Sequence, residues 1–224
     1  ILRLPWRRPV WITSGALPGD AATFAWSLAT RFLAAVPPGT TGIEVIDPSG
    51  LSGARWVGTL DPLAVERVFG GGVAAGPAAG ERIRRLLDLA DLRRIGGEGD
   101  ENDPAGPWAG GPPVRLVLVF DAATALEDPE DGDRLARLVE DGPPAGLPVI
   151  LVESGEAATE SVRTLRVRQA CHNLPSAEDV IDDPWVAVDW TLIPDLLPDA
   201  AEAVRAPALA AHVAVTHART VAGA

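Results

Sequence analysis

The sequence predicts an α/β domain built on a mostly parallel β-sheet flanked by helices. Short apolar runs of strand length alternate with helix-patterned segments, as in sheets whose parallel strands are joined by right-handed crossovers. The first unit reads as strand, helix and strand over Pro9–Ser14, Ala21–Val36 and Ile43–Asp47. The later runs Val114–Asp121 and Pro148–Val152 are largely apolar, which is typical of buried strands.

The remaining segments follow the same alternation. Apolar residues at helical spacing predict a helix over Ala79–Ile95, and Asp131–Glu140 suits a shorter helix. The chain from Leu60 to the first of these reads as a glycine-rich spacer. Thr164–Cys171 alternates arginine with apolar residues, which predicts an exposed edge strand protected by charge. Trp185–Trp190 reads as the final strand.

These elements place one α/β domain over residues 1–193. Within it, residues 96–113 are rich in Gly, Pro and acidic residues, so they are predicted to form a flexible surface loop. From Pro194 the chain is Ala-rich and helical, which predicts a C-terminal extension or a linker to a next domain over residues 194–224. Methionine is absent even at position 1, so we expect a piece of a longer chain.

The composition excludes several classes of protein. The 224 residues contain no lysine, 19 arginines and a formal charge of −12, which argues against a broad DNA-gripping surface. No apolar run reaches the length of a membrane span. A single cysteine, Cys171, rules out an internal disulfide and fits a reducing, cytoplasmic compartment. Arg, Ala, Gly and Pro richness without Lys is typical of a GC-rich, bacterial genome.

The loop after the first strand has the position of a phosphate-binding loop but not its chemistry. A working loop reads G-x-x-x-x-G-K-[ST], in which backbone N–H groups cradle the phosphates and Lys reaches the β and γ groups. Here Gly15 and Gly19 are one residue too close, and Asp20-Ala21 stands where Lys-Ser/Thr is needed. A carboxylate about 4 Å from a phosphate charge would cost on the order of 4 kcal/mol. The loop is therefore predicted to be hydrolytically dead; alternatively, Asp20 simply caps the following helix.

Asp121 follows the clearest strand of the sequence. An apolar strand that ends in Asp matches the Walker B pattern, in which the carboxylate helps to hold Mg²⁺. Ala122 and Ala123 follow where a Glu would activate water, so no general base is placed there. Two interpretations stay open, a surviving Mg²⁺ role and a carboxylate that caps a turn. The candidate nucleotide-site positions are thus Gly15, Gly19, Asp20 and Asp121.

Two sets of arginines are candidate anion contacts. The predicted helix over residues 79–95 carries five, which form either a solvated face paired with nearby acids or an anion-binding face: Arg82, Arg84, Arg85, Arg93 and Arg94. The predicted edge strand suggests contacts to DNA or a partner protein through Arg163, Arg166 and Arg168. Cys171-His172 cannot form a catalytic dyad by adjacency alone, and His212 and His217 lack metal spacing, so no metal site is predicted.

Four segments resemble the FtsK/SpoIIIE family of bacterial ATPases: Ala22–Gly39, Ile43–Leu51, Arg115–Asp121 and Glu140–Leu151. In particular, residues 9–60 and 113–205 look like a lysine-less RecA-like module that some large members carry before their active motor domain. The resemblance implies a RecA-like, P-loop NTPase-type fold in a parent that translocates DNA or secretes protein. It also implies that ATP and Mg²⁺ are cofactors of the parent's active motor domain, with none expected in this chain.

Three functions therefore stay open at this stage. The first is a catalytically degenerate ATPase-like module that scaffolds or regulates an adjoining FtsK/SpoIIIE-like motor. The second is an NTPase with an unorthodox loop, although no arginine lies in that loop to replace the lysine. The third is a DNA- or protein-binding α/β module with no nucleotide role. Expected partners are the adjoining ATPase domain, with DNA and further copies of the chain as additional candidates.

Overall fold

A six-stranded, fully parallel sheet forms the centre of the molecule. The computed structural model describes residues 8–13, 21–36, 41–50, 57–58, 60–96, 114–153 and 161–174. The strands are β1 (Val10–Thr13), β2 (Thr41–Ile46), β3 (Val73–Ala74), β4 (Val114–Val119), β5 (Val149–Glu153) and β6 (His172–Leu174). The helices are α1 (Ala21–Ala35), α2 (Pro62–Val68), α3 (Pro77–Gly96), α4 (Ala122–Glu127), α5 (Gly132–Asp141) and α6 (Val162–Ala170).

The strand order is β3-β2-β4-β5-β1-β6. The pairing of β2 with β4 is the longest, running from Thr41 opposite Val114 to Ile46 opposite Val119. Strand β1 lies between β5 and β6, so β5 separates it from β4. This arrangement confirms the predicted α/β class, a parallel sheet flanked by helices.

The two faces of the sheet bury separate apolar cores. In β4, Leu116 and Leu118 pack with α1 on one face, whereas Val117 and Val119 pack with α3, α4 and α5 on the other. Both sets are fully buried. Strands covered on both faces need apolar side chains at every position, which explains the continuous apolar runs in the sequence.

The core on the α1 face of the sheet contains a group of packed aromatic side chains. Trp26 of α1 packs edge-on against Phe69, with ring centroids 6.4 Å apart, and tilted against Phe120, with centroids 5.7 Å apart. These contacts join the helix to the end of α2 and to the residue after β4. Aromatic pairs of this geometry add to the stabilisation that burial gives.

The segment predicted as a spacer contains a helix and a strand. Asp61 caps α2 by accepting the Leu63 backbone N–H at 2.8 Å, and Pro62 occupies the first turn, where its missing N–H is harmless. The turn that follows has positive φ at each of Gly70–Gly72, and it leads into β3. The glycine richness that favoured a spacer is thus the chemistry of this turn.

The strand predicted over Thr164–Cys171 is wrong, because this segment is helix α6. Ser161 caps the helix by accepting the Thr164 backbone N–H at 3.2 Å. Thr164, Val167 and Cys171 are buried at spacings of three and four residues, which is the helical period. Leu165, which the alternation placed on an apolar strand face, is 43% exposed.

Helix α6 docks on the end of α4 through a carboxylate. Glu127 accepts the Thr164 hydroxyl at 2.8 Å. Hydrogen bonds from Ser161 and Thr164 lower the pKa of the Glu127 carboxyl below its ordinary value. The sheet is then completed by β6, which pairs with β1.

Three sequence predictions lie outside the described residues. They are the strand over residues 185–190, the helical extension over residues 194–224 and nearly all of the loop over residues 96–113. The domain boundary at residue 193 therefore stays a prediction. In the described ranges, no helix has both the length and the apolar character that a bilayer crossing requires.

Leu118→Ala should lower the free energy of unfolding by about 2–5 kcal/mol, because Leu118 is fully buried in β4 and its truncation leaves a cavity. Leu92→Ala is the matched control, since Leu92 is 67% exposed, and it should change stability by less than about 0.5 kcal/mol. Urea unfolding followed by circular dichroism measures both. Equal losses in the two variants would contradict the described core.

Cys171 should be unreactive toward thiol reagents until the protein unfolds. It is buried, its Sγ donates to the Val167 carbonyl at 3.1 Å, and burial raises the pKa of the thiol to about 12. Because the unfolded thiol ionises near 9.0, stability conferred by Cys171 is fully present below that pH and is lost as pH rises toward 12. As pH rises, Cys171→Ala should lose less stability than the unsubstituted chain, as measured by urea unfolding at neutral and alkaline pH. Equal losses of stability in the two proteins would refute this role.

Candidate functional site

The carboxyl edge of the sheet is where open parallel sheets bind ligands. Strands β2, β4 and β5 end in step there, because Ile46 pairs with Val119 and Val119 pairs with Leu151. Each of these three neighbouring strands ends in or is closely followed by a carboxylate. We call this set the acidic edge: Asp47, Asp121 and Glu153.

Asp47 shapes the turn that leaves β2. Its side chain is buried, and its Oδ1 accepts the Gly50 backbone N–H at 3.0 Å and the Ser49 hydroxyl at 3.1 Å. Gly50 has φ of +67°, which a glycine adopts at little cost. Asp47 therefore holds the turn over residues 47–50 in place.

Asp121 lies at the tip of β4 in the left-handed backbone region, with φ of +48° and ψ of +46°. Its carboxylate does not cap α4; its Oδ2 instead accepts a hydrogen bond from the Ser49 hydroxyl. The two interpretations of Asp121, a Mg²⁺ role and a carboxylate that caps a turn, both stay predictions. Since a hydroxyl has one hydrogen, Ser49 can donate fully to only one of Asp47 and Asp121 at a time.

Glu153 closes β5 and is a site residue that sequence reasoning missed. It is 6% exposed, and its Oε2 accepts the Trp11 indole N–H at 3.0 Å. Its Cα pairs with that of Thr13 at the end of β1, where the chain enters the candidate phosphate loop. The pattern that marked Asp121, an apolar strand ending in an acid, also marks Glu153, but the predicted strand stopped at Val152.

The acidic edge has no compensating arginine in the described part of the chain. Glu153 and Asp121 form no ion pair with an arginine among the described residues. In the Walker B pattern such a carboxylate acts on phosphate through Mg²⁺. Nucleotide bound at this edge would therefore need a cation between the carboxylates and the phosphates.

The other nucleotide-site positions, Gly15, Gly19 and Asp20, lie outside the described residues. Their predicted roles, a dead phosphate loop or a helix cap, stay predictions. Of the four candidate positions, the structure thus places only Asp121, and it brings that residue together with Ser49 and Asp47.

The arginines predicted to contact DNA or a partner lie on α6. Arg163 forms an ion pair with Asp133 of α5 at 2.8 Å, and Arg166 pairs with Glu140 at 2.7 Å. The Arg168 guanidinium lies over the Trp11 ring, 5.8 Å from its centroid. The three side chains therefore have separate intramolecular contacts, and their role toward a partner is still a prediction.

The arginines of α3 do not form a uniformly solvated face. Arg82 and Arg85 both form ion pairs with Glu44 of β2, and the Arg82 side chain is only 11% exposed. Arg94 pairs with Asp91, as a solvated helix face would, and also with Asp141 of α5. The interpretation as a solvated face is therefore wrong for Arg82.

No group of three or more His, Cys, Asp or Glu side chains in the described part of the chain has the arrangement of a metal site. Asp47 and Asp121 supply two carboxylates near one hydroxyl. Because Mg²⁺ is commonly held by one or two carboxylates together with waters and phosphates, the Mg²⁺ role of Asp121 stays a prediction.

The fold and this edge define a class: an α/β domain with the RecA-like sheet of ATPase domains. No protein-family model and no curated protein matches the sequence. Among solved structures, the chain is similar to the cytoplasmic domain of EssC, with a TM-score of 0.59, 13% identity, and coverage of 94% of this chain and 46% of that one.

Two further solved structures are similar to this chain. The cytoplasmic domain of the type VII secretion ATPase EccC from Thermomonospora curvata matches with a TM-score of 0.57 and 14% identity, over 93% of this chain and 28% of that one. EssC ATPases 2 and 3 from Geobacillus thermodenitrificans match with a TM-score of 0.52 and 15% identity, over 82% and 36%. Identities this low establish the fold alone, and the chain spans less than half of each of these proteins.

Ser49→Ala should lower the free energy of unfolding by about 1 kcal/mol, because it removes the hydroxyl that serves Asp47 and Asp121. Urea unfolding near neutral pH measures the loss. In an Asp121→Asn background, where one of the two charges is gone, the same substitution should cost less. Identical losses in both backgrounds would show that Ser49 does not act on Asp121.

Proposed function

We propose that this chain is a catalytically inactive, ATPase-like domain of a multidomain secretion ATPase, which positions or regulates adjoining ATPase domains instead of hydrolysing ATP. The observation that carries the proposal is the loss of catalytic groups: Asp20 stands where a phosphate loop needs Lys, and Ala122 stands where a Glu beside Asp121 would activate water. The likeness to EssC and EccC supports the secretion setting.

The missing cation supports the inactive state. With no lysine in 224 residues, arginine alone can supply a phosphate-binding charge. Three of the described arginines, Arg82, Arg85 and Arg115, form ion pairs with Glu44 on the α3 face. No Glu follows Asp121 to activate water, since Ala122 and Ala123 begin α4.

The setting in a larger protein rests on the short coverage of the similar structures, 28–46% of their lengths. ATP and Mg²⁺ would then be cofactors of adjoining domains and not of this chain. We place the domain in the cytoplasm, because the similar parts of EssC and EccC are cytoplasmic domains. Contacts to further copies of the chain are part of the same proposal.

We do not extend the proposal to DNA translocation. Arg163 and Arg166, the candidate DNA contacts, each pair with a carboxylate of α5. The formal charge of −12 also opposes binding to a polyanion.

Fluorescent ATP titrated into this chain with Mg²⁺ should show no saturable binding below about 1 mM, because the chain has no lysine to bind the β and γ phosphates and Asp20 would repel them. An active P-loop ATPase domain, titrated in parallel, is the positive control. Micromolar binding that requires Mg²⁺ would contradict the proposal. If such binding disappeared in Asp121→Asn, a functional Walker B carboxylate would be established instead.

A further inference from the structure

A buried carboxylate on strand β2 is surrounded by three guanidinium groups. Glu44 is 1% exposed, and its Oε2 lies 2.5 Å from Arg82 Nη1 and 2.9 Å from Arg85 Nη2. Its Oε1 lies 2.6 Å from Arg115 Nη1. Arg82 and Arg85 belong to α3 and Arg115 to β4, so the cluster joins two strands and a helix on the α3 face of the sheet.

The backbone is built around this carboxylate. Gly70, with φ of +56°, lies so close that a Cβ there would come within 2.6 Å of Glu44 Oε1. Arg82 also reaches the Gly72 carbonyl at 3.5 Å. The turn from α2 to β3 therefore packs directly on the cluster, and Arg82 is held between the Glu44 carboxylate and this turn.

The cluster carries an excess of positive charge. One carboxylate balances one of the three guanidinium groups, which leaves a local surplus of two charges. The side chain of Arg85 is 57% exposed and that of Arg115 is 35% exposed, and each uses one nitrogen on Glu44. Because a guanidinium has five N–H donors, both retain donors that can reach a ligand at the surface.

Arg93 extends the positive surface toward the amino ends of the strands. It donates to the Ala145 carbonyl at 3.0 Å, next to the residue that accepts the Arg115 backbone N–H. Burial lowers the pKa of the Arg93 guanidinium, and the charge of Arg115 lowers it further, so the two cations lie within electrostatic range. We call the surface formed by Arg82, Arg85, Arg93 and Arg115 the arginine surface.

We propose that the arginine surface binds the carboxylates of an acidic segment of a partner protein. This inference rests on the proposed function, in which the domain acts through contacts with adjoining domains or partners. Arg85 and Arg115 bind different oxygens of Glu44 through one nitrogen each, and each guanidinium is a planar fork whose other donors can bind a second carboxylate.

The size of the surface favours a protein carboxylate over nucleic acid. Affinity for a duplex grows with the number of phosphates neutralised, and only Arg85 and Arg115 of the cluster are substantially exposed. A protein segment needs only one or two ion pairs here, because its other contacts can be apolar or polar. Steering by the local surplus charge would act over about 10 Å at moderate salt.

The test is a calorimetric titration of the 224-residue chain with a short glutamate-rich peptide at low salt. The double variant Arg85→Gln, Arg115→Gln should weaken peptide binding about tenfold or more, because it removes both exposed partners. Arg84→Gln is the matched control for the single variant Arg85→Gln, since both arginines are exposed on the same helix and each substitution removes one positive charge; Arg84→Gln should weaken binding less than about twofold, and less than Arg85→Gln does. Thermal unfolding of each variant checks that the fold is retained.

Each alternative outcome is decisive. Absence of peptide binding to the unsubstituted chain at about 1 mM would overturn the inference. Equal weakening of peptide binding by Arg84→Gln and Arg85→Gln would show that the peptide binds by general charge attraction and not at a defined site. Inorganic phosphate or a DNA duplex that binds more tightly than the peptide, with the same loss in the double variant, would assign the surface to phosphate. None of these results bears on the ATP titration, so the proposed function can stand if this inference fails.

Discussion

The burial of β4 on both faces is the constraint on which the rest of the structure depends. Leu116 and Leu118 fill one core and Val117 and Val119 fill the other, so neither face can move without exposing apolar surface. Because β2 and β5 pair with β4 on either side, their ends are fixed relative to it. The packing therefore decides which polar groups meet at each edge, and the chemistry of the molecule follows from those groups.

The charges are distributed unevenly around this scaffold. The carboxyl edge carries Asp47, Asp121 and Glu153, whereas the α3 face carries Arg82, Arg85 and Arg115 around Glu44. The sheet thus carries acidic groups at its carboxyl edge and basic groups on its α3 face. The proposed role as a positioning domain uses such outer surfaces, because a stable scaffold can contact neighbouring domains without hydrolysing ATP.

Much of the fold could be predicted from the sequence, because buried parallel strands are nearly all apolar and α1 and α3 have clear helical periodicity. The sequence over Thr164–Cys171 predicts a strand because arginines at alternate positions imitate strand alternation. The hydrogen bond by which Ser161 caps a helix and the burial of Thr164 are seen only in the structure. Strand β3 has two residues, too few for any periodic pattern.

The site was less predictable than the fold. Asp121 could be singled out because it ends an apolar run, but its contact with Ser49 joins residues from separate loops. Glu44 lies within an apolar strand pattern, and nothing in the neighbouring sequence indicates its three arginine partners, which are 38 to 71 residues away. Tertiary ion pairs of this kind depend on how strands and helices are placed, which local sequence does not encode.

The contact between Gly70 and Glu44 has a consequence for the sheet margin. Strand β3 is attached to β2 by two residue pairs only, so its ladder alone holds it weakly. The turn that precedes it rests on the buried carboxylate, and Arg82 bridges that carboxylate to the Gly72 carbonyl. The ion pairs around Glu44 therefore help to hold β3, the outermost strand, against β2. Amide hydrogen exchange at Val73 and Ala74 would thus report whether the charge cluster on the neighbouring strand is intact.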